Sequence, residues 1–146
     1  MSSLMFASPE AAAMAGFPPE HCRVAACAVD GDQAYVVLDT GAAGYPYLYG
    51  LAVSHGPRGW EAGTSGNGPA AGWTLTDSEH DLGTAYIYDE APAGADRVRA
   101  VLDGDVKEVA VSGAVYLVAW WRVPGGQTMP RVLAFGVGDA WEPENL

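Results

Sequence analysis

The chain has 146 residues, 49% of them hydrophobic and 17% charged, a balance that suits a globular protein with a true core and excludes a disordered one. Seven basic residues stand against eighteen acidic ones, for a formal net charge of −11. That field repels polyanions, so nucleic acid and anionic membrane surfaces are excluded as partners.

In chain order, Ser8 is placed to cap a helix that opens on Pro9, runs through Ala11–Ala15 and stops at Gly16 and Pro18-Pro19. Strands are predicted over Arg23–Val29 and Ala34–Asp39, joined through Asp30-Gly31-Asp32, a hairpin signal. Tyr45–Ser54 reads as the next strand, with a turn over His55–Gly59 returning through Trp60. Gly63–Gly72 holds four glycines and a proline and is expected to be a loop. Trp73–Thr76 and Thr84–Tyr88 are short strands. Arg97–Leu102, Val106–Val111, Val115–Val123 and Arg131–Val137 follow, linked by Asp103-Gly104, Ser112-Gly113 and Pro124-Gly125-Gly126. Val115–Trp121 is apolar on both faces, which predicts a central strand covered on two sides.

Eight to ten strands with one short N-terminal helix predict a mainly β protein, an antiparallel β-sandwich or partly closed barrel. One domain, 1–146, is expected, with a subdivision allowed near 91–96 where glycine and proline gather. No stretch reaches the roughly 18 apolar residues that cross a bilayer. The first sixteen residues lack the basic and apolar pattern of a secretion signal. Cys22 and Cys27 are the only cysteines, and a bridge between them is excluded if they lie on opposite faces of one strand. Together these predict a reduced, cytoplasmic protein.

Five groups of residues carry candidate chemistry. Ser65 and Asn67 sit in Gly63-Thr-Ser-Gly-Asn-Gly-Pro69 between Trp60 and Trp73, where backbone N–H groups and small polar side chains can grip an anionic or polar ligand. The motif is neither a P-loop nor a nucleophile elbow, and its alternative is a structural turn. Tyr45, Tyr47 and Tyr49 recur at period two and share a strand face, either as a stacking stripe for a ligand or partner or as core. Asp77, Glu79, His80 and Asp81 crowd carboxylates and an imidazole into five residues, a weak candidate for a divalent cation and otherwise a charged turn. His21-Cys22 with Cys27 lacks the ligand spacing of a zinc site. Arg97, Arg99, Arg122 and Arg131 line one sheet face if their strands are neighbours, facing an anion or pairing with Glu108, Asp103 or Asp105.

The segments Ser8-Pro9-Glu10-Ala11-Ala12, Gly59-Trp60, Ser65-Gly66-Asn67-Gly68-Pro69, Gly72-Trp73 and Ala119-Trp120-Trp121 are similar to those of uncharacterised all-β proteins from GC-rich, actinobacterial-type bacteria. That origin agrees with a single lysine, Lys107, and a single isoleucine, Ile87. The resemblance implies one unit over most of the chain and no activity, cofactor or partner. The expected function is therefore non-catalytic binding, without cofactor, of a protein partner or small ligand through Tyr45, Tyr47, Trp60, Ser65, Asn67 and Trp73. The alternative is a small hydrolase or metal-dependent enzyme using Ser65, His55 or His80 with the carboxylates at 77–81. Edge strands allow a two-fold homodimer.

Overall fold

The computed structural model describes residues 6–41, 48–67, 70–111, 113–126 and 129–143. The architecture is mainly β, as expected: the described residues form three antiparallel sheets and one short α-helix, with no closed barrel among them. The chain divides into two compact units, Met1–Gly68 and Pro69–Leu146. The 91–96 segment is tied into the second unit by Ala91 N–H to Ala114, Asp96 N–H to Gly136 and Val111 N–H to Asp96. No described helix is long and apolar enough to cross a membrane.

The first unit is a helix on a four-stranded meander. Helix α1 (Pro9–Met14) begins as its sequence dictates, with Ser8 Oγ accepting from Ala11 N–H at 3.1 Å and proline in the first turn. A 3-10 turn over Pro19–His21, which no sequence signal suggested, leads into the sheet. Strands β1 (Arg23–Asp30), β2 (Gln33–Asp39), β3 (Leu48–Gly56) and β4 (Gly59–Asn67) pair in chain order. Period-two alternation sends Ala34, Val36 and Leu38 of β2 and Leu51 and Val53 of β3 to the face that receives Ala12 and Ala13. Alanines on the helix let it approach that face closely. Full burial of each valine or leucine contributes about 1.5–3 kcal/mol.

The second unit is a two-sheet sandwich. One sheet orders β5 (Ala70–Asp77), β6 (Leu82–Glu90) and β9 (Val115–Pro124). The other orders β11 (Ala140–Pro143), β10 (Arg131–Val137), β7 (Arg97–Leu102) and β8 (Asp105–Ala110). Ala85, Tyr116, Val118 and Trp120 from the first sheet meet Val98, Ala100, Leu102, Val132 and Phe135 from the second. Bulges adjust this core. Val132 pairs with Ala100 but Ala134 with Arg99, so Leu133 is the extra residue that lets Val132 and Phe135, three apart, both face inward. Arg122, at φ 52°, lies in a matching bulge of β9 that places both Trp120 and Val123 on the core side.

Two sequence expectations are corrected. Gly63–Gly72 is mostly strand, with β4 reaching Asn67 and β5 starting at Ala70. Its glycines serve close approach. Gly63 and Thr64 bulge opposite Ala52, and a Cβ on Gly63 would stand 3.2 Å from the Ala52 carbonyl oxygen. A Cβ on Gly72 would meet the Tyr86 hydroxyl at 2.9 Å. Strand β9 is indeed buried from Val115 through Trp120, but it lies at the edge of its sheet and not at the centre. Its free edge is met by β8. Lys107 Nζ donates to the Ala119 carbonyl at 2.6 Å, and Trp120 Nε1 donates to the Asp105 carbonyl at 3.3 Å. This seam latches the two sheets along one side.

Candidate functional site

The residues singled out in the sequence are dispersed between the two units. Tyr45 and Tyr47 lie outside the described residues. Tyr49 is half-buried on β3, edge to face with Phe17 at 5.1 Å. Ser65 and Asn67 lie on β4 with their backbones opposite Leu51 and Tyr49. Trp60 is half-buried on β4; its ring meets His55 at 5.0 Å and its backbone exchanges two hydrogen bonds with Phe6. In the second unit, Trp73 packs against the sandwich core, and its indole N–H donates to the Val123 carbonyl at 2.9 Å.

The acidic turn is built around Asp77. Its carboxylate accepts from the His80 backbone N–H at 3.2 Å and holds His80 Nδ1 at 2.8 Å. The hydrogen bond from His80 is the main cause that lowers the Asp77 pKa, outweighing desolvation. Glu79 and Asp81 are exposed, Asp81 at φ 56°. Among the described residues no three His, Cys, Asp or Glu side chains converge as a cation site.

Both cysteines are free thiols. Burial, and secondarily the Asp39 carboxylate, raises the pKa of Cys22. Cys27 lies on the surface of β1, yet desolvation of its sulfur, with Glu10 beside it, pushes it up to about 11. Such thiols stay protonated at neutral pH and are poor nucleophiles. Cys22 borders a hollow of about 220 Å³ in the first unit, with His21, Arg23 and Asp39. Arg23 closes on the buried Asp39 at 2.9 Å, and Gly41 N–H donates to the other carboxylate oxygen at 3.0 Å. This carboxylate is already satisfied.

The arginines separate. Arg97 and Arg99 share the outer face of the four-stranded sheet, opposite Gly136 and Ala134, while Arg122 belongs to the other sheet. Arg131 is exposed on β10, opposite Val101. Small residues on β10 leave room for guanidinium groups to lie flat. Both stack on Trp141 of β11, at 4.5 Å for Arg97 and 4.0 Å for Arg99. Arg97 also donates to the Gly138 carbonyl at 2.6 Å and pairs with Asp96, and Arg99 pairs with Glu108 at 3.1 Å. The cluster fastens the β10–β11 hairpin.

Sequence reading missed a further open site. A cleft of about 310 Å³ opens in the second unit, lined by Asp89, Glu90, Pro92, Tyr116, Phe135, Glu142 and Pro143. Tyr116 and Phe135 meet edge to face at 5.4 Å and belong to the core beneath it. Compared with family models, curated proteins and solved structures, the chain matches none. The chemistry of the cleft follows from its register. Asp89 pairs with Tyr116 across β6–β9, and Glu142 pairs with Phe135 across β10–β11. Cross-strand partners share a face, so each sheet turns one carboxylate toward its core side, beside an aromatic ring. No sequence signal joins 89, 116, 135 and 142; only the pairing of four strands does.

Proposed function

We infer that the protein is a non-catalytic binding module and that the cleft above Tyr116 and Phe135 holds its ligand. The observation that carries this reading is the combination of an apolar floor with polar groups at the rim, in a hollow at the lower end of the roughly 300–1,000 Å³ typical of small-ligand sites. Binding is favoured over catalysis by the state of the reactive groups. The Cys22 and Cys27 thiols are held protonated, His80 is engaged by Asp77, and His55 lies against Trp60. Free thiols also support a reducing, cytoplasmic compartment.

The test is a fragment screen followed by heteronuclear NMR, using small molecules of positive, negative and zero charge. Binders should shift the amide resonances of Tyr116, Phe135 and Glu142 together, and Phe135→Ala should abolish those shifts while far-UV circular dichroism keeps its β signature. Fragments that gather elsewhere, with the cleft silent, refute the reading.

A further inference from the structure

We propose that the cleft takes an organic cation, an ammonium group carried on an aliphatic stem. The proposal rests on the cleft being the ligand site argued above and names what that site accepts. Its wall has two chemistries in contact. Pro92, Tyr116, Phe135 and Pro143 supply apolar surface, and Asp89, Glu90 and Glu142 supply carboxylates.

Glu90 and Glu142 are exposed and Asp89 is half-buried, and what sets Asp89 and Glu142 apart is their register. Asp89 and Glu142 come from different sheets, and both are on the side of their sheet that carries a core aromatic. A charge there borders low-dielectric material, where an opposite charge is attracted more strongly than in open water. Among the described residues no basic side chain forms an ion pair with any of the three; Arg97 and Arg99 are engaged on the outer face of the four-stranded sheet by Asp96, Glu108 and Trp141. Asp89 accepts one hydrogen bond, from the Glu90 backbone N–H at 2.6 Å, leaving further lone pairs for a donor.

An inorganic cation fits this wall poorly. Calcium or magnesium needs about six or more converging oxygens, and among the described residues no three acidic, His or Cys side chains converge as a metal site. A methylene stem uses both chemistries of the wall, its carbons against Phe135 and the prolines and its charge between the carboxylates. The volume suits one such chain.

The experiment is an NMR titration of the full chain with pentylammonium, 1-pentanol and magnesium as separate probes. Pentylammonium should shift Tyr116, Phe135 and Glu142 saturably, with 1-pentanol and magnesium at least about tenfold weaker. The double variant Asp89→Asn, Glu142→Gln keeps the shapes and should weaken pentylammonium by about tenfold or more. Asp105→Asn with Glu79→Gln removes the same charge from carboxylates outside the wall and should leave binding within about twofold. Equal binding of the alcohol, or equal weakening by the two double variants, overturns the proposal in favour of apolar or diffuse attraction. If neutral or anionic fragments occupy the cleft while pentylammonium does not, the ligand site stands and the cation assignment fails. If no probe of any charge shifts the cleft, both fall.

Discussion

Alanine at Gly83 should destabilise the second unit by about 2–3 kcal/mol. A Cβ at this position would run into the Thr74 carbonyl oxygen and would stand 2.5 and 2.7 Å from Cε2 and Cζ2 of Trp73, where real Cβ atoms do not come within about 3 Å. Backbone on one side and a packed indole on the other leave no flexible neighbour to give way. Overpacking of this kind costs about 1–3 kcal/mol. Tilting the indole also breaks its 2.9 Å bond to Val123, worth about 1 kcal/mol more. The lower entropy of an unfolded alanine returns about 0.4–1 kcal/mol. Gly125 touches the same ring from another side, but there a Cβ would stand 3.4 Å from Cη2, an ordinary contact. Gly125→Ala should therefore stay within about 0.5 kcal/mol. Urea titration followed by tryptophan fluorescence and circular dichroism reads both. Equal midpoints for the two variants, or a Gly83→Ala midpoint at the wild-type value, would show that the Trp73–Gly83 contact does not hold β5 to β6.

Arg97→Ala should cost about 1–2 kcal/mol by releasing Trp141 and the Gly138 carbonyl, and hydrogen exchange should quicken selectively in β11; Arg97→Lys should restore little, since it lacks the planar stack. Surface exposure notwithstanding, Cys27 in a Cys22→Ser background should react slowly with iodoacetamide at pH 8, where a thiol of pKa about 11 is only about one part in a thousand ionised, and rapidly above pH 10. Fast modification at pH 8 in folded protein would contradict that. The Asp77 carboxyl should titrate below its ordinary 3.8 when followed by carbon NMR. Since the folded value is the lower one, the unfolded chain takes up the proton first; the turn's contribution is whole above about pH 4 and is lost as pH falls through the folded value. Asp77→Asn should remove that dependence.

Strand periodicity and hairpin signals made most of the fold legible. Asp30-Gly31 and Asp103-Gly104 marked their turns, and Arg97–Leu102 and Arg131–Val137 have the bounds their alternation suggested. Glycine misled where it serves packing instead of turning, as at Gly63 and Gly72. Burial of Val115–Trp120 on both faces was readable, but which strands flank β9 depends on non-local pairing. Bulges were equally invisible: Val132 and Phe135 violate a simple period of two, and only an extra residue at Leu133 reconciles them. The cleft was illegible for the same reason. Asp89 and Glu142 look like solvated acids in the sequence, and become neighbours of Tyr116 and Phe135 only through register.

Because the chain's sole lysine side chain is the latch between β8 and β9, amine chemistry acquires an unusual meaning for this molecule. An acylating label, a cross-linker or an activated chromatography resin that captures Lys107 cannot act as a neutral handle. It would strip the proton donor from the Ala119 carbonyl and prise open the long side of the sandwich, so tethering this protein calls for attachment at a terminus or through an introduced surface cysteine.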